Sequence, residues 1–249
     1  MQILLTNDDG ITAEGLAALK QALSAHWDVV VLAPDREQSA TSHSLTLDRP
    51  LRTRRLDDRT FSVDGTPTDC VMLAMYGDLL GGKPDLLVSG INHGPNLGDD
   101  VTYSGTVAAA IEGTLLGVPS VAMSVTAWND LLFDAAAEFA VRLVRTVLSE
   151  TMPEDTLINV NVPNLPPGQI QGVRTTRLGR RIYRDAVVKG TDPRGKPYYW
   201  IGAQDPSWAG GADSDFAAIE EGYISLTPLH LDLTNHDALP AVSQWNMEW

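Results

Sequence analysis

The chain has 249 residues, 32 of them acidic against 18 basic, and a formal net charge of −14. Hydrophobic residues make up 43 % of it, enough for a substantial core, which argues against disorder and leaves one large α/β domain or two small ones. The acidic balance argues against non-specific binding to a nucleic-acid duplex, which depends on basic surface displacing counterions. With Cys70 as the single cysteine no intramolecular disulfide forms, which fits a reducing compartment. The first residues run from Met1 directly into polar Asn7–Gly10 with no charged segment before a long apolar one, so no signal peptide is expected. No apolar stretch is long enough to span a membrane, and a soluble cytoplasmic protein is the expectation.

In chain order, Gln2–Thr6 is a short apolar run that ends in Asn-Asp-Asp-Gly. From Ala13 to Leu23 the apolar residues Leu16, Leu19 and Leu23 recur at helical spacing, and Asp28–Leu32 is a second short, β-branched run. Strand, helix, strand with short links predicts a βαβ unit with a parallel sheet and a right-handed crossover. The rhythm resumes with a helix over Asp69–Leu79, a buried strand at Asp85–Ser89, a helix over Gly105–Leu116 and a strand at Ser120–Val125. A longer amphipathic helix over Phe133–Leu148 and an alternating strand at Thr156–Val162 complete it.

Beyond Pro163 the texture changes to Arg, Gly, Tyr and Trp, with strand-like pieces at Gly172–Arg177, Pro197–Ala203 and Gly222–Thr227. Alternation here predicts antiparallel hairpins. The expected architecture is a single domain over 1–249: an α/β core over 1–163 and a β-rich C-terminal extension over 164–249. A hairpin over Arg180–Tyr199 would expose Ile182, Tyr183, Val187 and Val188, so it is expected to cover them against another subunit.

Three polar clusters fall at strand ends, where doubly wound sheets bind their ligands. The first is Asn7-Asp8-Asp9-Gly10. Two adjacent carboxylates in a crevice repel each other, and a hard cation such as Mg²⁺ or Mn²⁺ removes the conflict. The plainer reading is a helix N-cap with a turn glycine. The second is Asp35–Ser44, a hydroxyl-rich loop suited to phosphate oxygens or to one oxygen ligand, or else a solvated loop of capping turns. The third, Ser89–Asp100 followed by Val101–Thr106, runs from a strand into an Ala-rich helix. Its glycines permit close backbone approach, Asn92 offers a neutral oxygen to a metal, and Ser104-Gly105-Thr106 presents hydroxyls and free N–H groups to an anion. There is no Walker phosphate loop and no Gly-x-Gly-x-x-Gly after the first strand. Gly65–Cys70 reads as a helix cap, or less readily as a phosphate or base contact, with Cys70 buried behind it; no nucleophilic Cys–His or Ser–His–Asp spacing stands out, and His230, Asp232 and His236 suit either acid–base chemistry or a structural role.

Thr6–Gly10, Ala33-Pro34-Asp35 with Ser39, Gly65–Cys70, Ser89–Asn92 with Gly94–Asp100, and Tyr103–Ala110 together resemble the SurE family, stationary-phase survival proteins that act as nucleotidases. The likeness continues through Ile158–Pro163, Asp192–Gly195, Thr227–Leu229 and Asp232–Thr234, and so covers nearly the whole chain. The resemblance implies a Rossmann-like, three-layer α/β/α fold with a mostly parallel sheet and a C-terminal part that exchanges elements in a homodimer or homotetramer. It implies a divalent-metal-dependent phosphomonoesterase acting on nucleoside 5′- and 3′-monophosphates, with some activity on short polyphosphate. One Mg²⁺ or Mn²⁺ per subunit would be held by Asp8, Asp9, Ser39 and Asn92. Asn96, Ser104, Gly105, Thr106 and Ser42 are the candidate phosphate-binding residues, and Asp8 and Asp9 the candidate catalytic ones, one of which could instead serve as base or nucleophile. Glu14 and His93 depart from the family pattern and are not expected to touch the ligands, and the tail Gln244–Trp249 is less family-like. The alternatives are a nucleotide-binding regulatory protein without catalysis and, less well supported, a dinucleotide-dependent oxidoreductase, because the first βα turn carries acids where a pyrophosphate needs glycines.

Overall fold

The computed structural model describes residues 1–182, 187–201 and 207–247. Gln2–Thr6 (β1) leads through Glu14–Ser24 (α1) to Asp28–Pro34 (β2). Thr53–Asp57 (β3) and Thr60–Val63 (β4) follow, then Pro67–Tyr76 (α2), Leu86–His93 (β5), Gly105–Leu115 (α3), Ser120–Val125 (β6), Asp134–Ser149 (α4) and Thr156–Val162 (β7). The C-terminal region supplies Gly172–Thr175 (β8), Arg180–Ile182 (β9), Val187–Thr191 (β10), Pro197–Ile201 (β11), Ser207–Ala209 (β12), Asp215–Glu220 (α5), Tyr223–His230 (β13) and Leu239–Val242 (α6).

The main sheet has nine strands in the order β3-β4-β2-β1-β5-β6-β7-β13-β8. From β4 to β7 every neighbouring pair is parallel, so the mostly parallel α/β architecture expected from the sequence is the one observed. Helices cover both faces. Ile3 and Leu5 of β1 pack with Leu16, Leu19 and Leu23 of α1 and with Ala136, Ala140 and Leu143 of α4. Leu4, pointing the other way, packs with Val71 and Ala74 of α2 and with Val107 and Ala110 of α3. Strand alternation thus feeds two separate cores from one strand.

The chain leaves β1 through α1 toward β2, and leaves β5 through α3 toward β6 on the opposite face and in the opposite direction. Between the carboxyl ends of β1 and β5 the winding reverses, and that reversal opens the crevice in which such folds bind ligands.

Several elements differ from the sequence expectation. The β3–β4 pair is not legible in the sequence because all five residues of β3 are exposed and carry no apolar alternation. Strand β5 was expected to end at Ser89. A register shift between Ser89 and Asn92 lets pairing with β6 resume, so the strand runs on to His93. In the C-terminal region, β8 pairs in parallel with β13, which is antiparallel to β7, so both strands extend the main sheet where free-standing hairpins were expected. The expected hairpin over Arg180–Tyr199 is divided: β9 pairs with β12, and β10 pairs with β11 around a turn in which Asp192 accepts from the N–H groups of Arg194 and Lys196. Tyr183 and residues 202 and 203 of the expected strands lie outside the described residues. Among the described residues no helix is long and apolar enough to cross a membrane.

Helix α1 crosses β5 so closely that a β-carbon at Gly15 would stand 2.1 Å from the carbonyl oxygen of Ile91. Gly15→Ala should therefore destabilise the protein by about 1–3 kcal/mol, the usual cost of overpacking. A urea-unfolding midpoint no lower than that of the parent would show that α1 can shift without strain.

Candidate active site

Strand β1 is buried from Ile3 to Thr6, and Asn7 after it is fully buried, before the chain turns at Asp8 and Asp9. Asp8 keeps 3 % of its surface, so its carboxylate sits among protein atoms at the crevice floor. The amino terminus of α3 meets it there. The Thr106 N–H donates to Asp8 Oδ2 at 3.0 Å, and the Thr106 hydroxyl donates to Asp8 Oδ1. A carboxylate is the ligand that a helix amino terminus favours, since its first N–H groups lack partners within the helix. The fit is close: a β-carbon at Gly105 would lie 2.9 Å from Asp8 Oδ2.

Asp9 stands nearer the opening. Its Oδ2 accepts the His93 N–H at 3.2 Å, and its Oδ1 is 3.7 Å from His93 Nδ1. His93 Nε2 in turn accepts the Gly15 N–H, in the first turn of α1, at 3.4 Å, and the ring packs against Phe133. The expectation that His93 avoids the proposed ligands is thus corrected. The extension of β5 by the register shift brings its backbone and ring against Asp9, which a reading of the glycine loop as irregular could not anticipate. Burial lowers the His93 pKa.

Burial pushes the pKa of Asp8 up, offset only in part by the bonds from Thr106 and Gly105. Asp9 is pushed up to about 7, first by burial and then by the charge of Asp8. Among the described residues no Lys or Arg forms an ion pair with either carboxylate. Asn7 Oδ1, beside them in the chain, is buried without a hydrogen-bond partner among the described residues.

Asn92, at the end of β5, is half-buried and donates to the Gly94 carbonyl at 2.8 Å, and its Oδ1 lies 3.4 Å from the Thr106 hydroxyl. The structure therefore brings Asp8, Asp9, Asn92, Gly105 and Thr106 together. Ser39 is exposed and donates its hydroxyl to Glu37 at 2.8 Å. Its tie to the site is through Gln38, whose N–H donates to the Asp8 carbonyl at 2.7 Å. No group of three His, Cys, Asp or Glu side chains converges among the described residues, so any cation here depends on the amide and hydroxyl oxygens as well.

The remaining site residues divide by what their protons already do. Thr106 has committed its single hydroxyl proton to Asp8, and Ser42 has committed its own to the Thr102 carbonyl at 2.7 Å. Ser104 caps α3 by accepting the Val107 N–H at 3.0 Å, which leaves its hydroxyl proton to donate. Asn96 gives one amide proton to Ser124 at 2.8 Å and keeps a second. Its backbone is clasped by β7: Asn159 and Asn161 both donate to its carbonyl, and its N–H donates to Asn161 Oδ1. The sequence places that asparagine pair in an alternating strand and in a stretch shared with the family, but assigns it no role at the site.

Outside the crevice, the expected helix cap at Gly65–Cys70 takes the form of a capping box between Thr66 and Asp69, and Asp69 also accepts from the N–H and hydroxyl of Thr46. Cys70 is fully buried and its thiol is pushed up by that burial. His236 pairs with Asp232 on the surface beyond β13.

This arrangement can be set beside known proteins. The family model described as Survival protein SurE matches residues 3–185. The chain belongs to the SurE family. SurE relatives span its full length. The protein named 5′-nucleotidase SurE from Geotalea uraniireducens is 53 % identical over 248 residues, covering 99 % of this chain and 100 % of its own. The protein of the same name from Gemmatimonas aurantiaca is 53 % identical over 253 residues, covering all of both chains. The crystal structure of SurE from Aquifex aeolicus superposes with a TM-score of 0.89 at 48 % identity, covering 98 % of each chain.

The raised pKa of Asp9 has a consequence for this SurE chain when no cation is added. A carboxyl more easily protonated when folded than when unfolded makes folding take up a proton, so stability is highest below the unfolded value. It should fall as pH rises from 3.8 to about 7 and level off above. Urea midpoints across that range, in chelator, should fall in the parent and fall less steeply in Asp9→Asn. Equal slopes would remove Asp9 as the source.

Proposed function

We propose that the chain is a 5′-nucleotidase, a phosphomonoesterase that converts nucleoside monophosphates to nucleoside and phosphate. A divalent cation, Mg²⁺ or Mn²⁺, one per subunit, would be held by Asp8, Asp9, Ser39 and Asn92. The names of the SurE relatives support the activity. The observation that carries the metal-dependent reading is the adjacent pair of buried Asp8 and half-buried Asp9, whose charges no described Lys or Arg offsets in an ion pair. The donor set is all oxygen and suits a hard cation, and the orphaned Asn7 Oδ1 adds negative potential beside it. Such a cation supplies positive charge against the phosphoryl oxygens and makes a water more acidic.

The chain's own residues have separate tasks. Asp8, with both oxygens bonded to Thr106, is fixed in direction. Asp9 Oδ1, 3.7 Å from the His93 ring, is the oxygen left to take a proton from the attacking water. Ser104, through its free hydroxyl proton, and Asn96, through its second amide proton, grip the phosphate oxygens, helped by the amino-terminal end of α3. Ser42 and Thr106, whose hydroxyl protons are already donated to the Thr102 carbonyl and to Asp8, hold the walls of that grip. Activity on 3′-monophosphates and on short polyphosphate is consistent with a site that recognises the phosphate end first.

The protein works as a homodimer or homotetramer in this reading. Tyr199, Trp200 and Ile201 of β11 are 59 %, 65 % and 84 % exposed, an apolar surface that a second copy would cover. Sedimentation should give a mass at least twice the 26.9 kDa of one chain, and Trp200→Asp with Ile201→Asp should lower it. A parent that sediments as a single chain would refute the assembly.

The activity is tested by phosphate release from nucleoside monophosphates with Mn²⁺, with Mg²⁺ and with EDTA. Release should vanish in EDTA, and Asp8→Asn should lower kcat by about a thousandfold, several kcal/mol of lost stabilisation. Nucleotide binding without release under any metal would leave a regulatory binder instead.

A further inference from the structure

We propose that Trp128 is the platform on which the nucleobase of the substrate stacks, and so a determinant of preference for nucleotides over other phosphomonoesters. The inference rests on the nucleotidase reading above and adds to it the place of the base. Trp128 follows β6, on the same carboxyl-end rim as Asp8, Asp9 and Asn92. Its indole lies against Gly94, so closely that a β-carbon there would stand 2.4 Å from Cζ3 and 2.7 Å from Cη2. Gly94 is also the residue whose carbonyl accepts the Asn92 side chain at 2.8 Å. The ring is therefore one glycine away from a proposed cation ligand.

Although it packs against Gly94, Trp128 remains 68 % exposed. A large apolar ring is thus held in solvent beside the loop that carries Asn92, where covering it would be favourable. Nor is it a dangling side chain. The loop that carries it is tied down at both ends: the Thr126 N–H donates to the Val162 carbonyl at 3.0 Å, the Leu132 N–H donates to Asn164 Oδ1 at 2.7 Å, and Asn164 donates back to the Asp130 carbonyl at 3.0 Å. A ring fixed in place before the ligand arrives loses little freedom on binding. The phosphate group of a nucleotide is met by the α3 terminus and the acids, and the base is the part of the same molecule that offers an aromatic face. Stacking of that kind tolerates any base, which matches a phosphatase acting on a class of nucleotides rather than on one.

A second exposed aromatic among the described residues is Tyr103, 55 % exposed, whose carbonyl accepts the Ser42 N–H at 3.1 Å. Tyr103 directly precedes the phosphate-facing Ser104, which places its backbone beside the phosphate end of the substrate rather than a nucleoside's length away. Trp128 is joined instead to Asn92 through Gly94, and is the better placed of the two.

The test compares steady-state kinetics of the cation-loaded enzyme on adenosine 5′-monophosphate with product inhibition by inorganic phosphate, which occupies the same site and has no base. Trp128→Ala should raise KM for the nucleotide about tenfold, about 1.4 kcal/mol, while leaving kcat and the phosphate inhibition constant within about twofold. Trp128→Phe should restore most of the KM. The unchanged inhibition constant shows that the variant is folded with its phosphate site intact. No rise in KM, a parallel rise in the phosphate inhibition constant, or the same split produced by Tyr103→Ala instead would overturn the platform and leave the nucleotidase reading standing. A parent enzyme that releases no phosphate from the nucleotide would overturn both.

Discussion

Two carboxylates that follow one another in the chain stand at the end of a strand, one buried and the other half-buried, where each loses water and each repels the other. Left alone, that arrangement is unfavourable in proportion to its charge, which is why both groups hold their protons more tightly than a surface Asp does. The surrounding structure is organised around making it tolerable. Helix α3 turns its amino terminus on Asp8, β5 is extended by a register shift so that the His93 backbone reaches Asp9, and glycine at 105 lets the helix approach without a side chain. Those ties offset part of the cost and leave a deficit of positive charge. A cation drawn into that deficit is the simplest physical use for it.

The same logic extends outward. Loop 94–100 must lie still if Asn92, Asn96 and Ser104 are to keep their places, and it is held from two sides. From the sheet, Asn159 and Asn161 occupy the Asn96 backbone entirely. From the C-terminal region, the fully buried Asp215 accepts the N–H of Gly98 and that of Gly179, and Arg181 pairs with Asp100. The C-terminal strands are therefore part of what fixes the crevice, although they supply none of its proposed ligands.

Much of the fold was legible because buried parallel strands and their helices carry strong periodic signals, as in Gln2–Thr6, Leu16–Leu23 and Phe133–Leu148. The β3–β4 pair escaped because its outer strand is wholly exposed, and the C-terminal topology escaped because pairing partners are not encoded in local alternation. At the site, the acids, Asn92 and the Ser104–Thr106 helix start could be found from their position at strand ends. The direction of each proton could not. That Thr106 serves Asp8, that Ser42 serves Thr102 and that His93 touches Asp9 depend on side-chain placement, which a spacing argument does not reach.

Calorimetric titration of Mn²⁺ into the chelator-treated protein tests the central claim without relying on turnover. One ion per chain should bind, with affinity lost in Asp8→Asn and Asp9→Asn and with protons released near neutral pH as the pair ionises. If the parent binds no ion, or if both variants bind as tightly as the parent, the paired carboxylates are not a cation site and the account fails at its base.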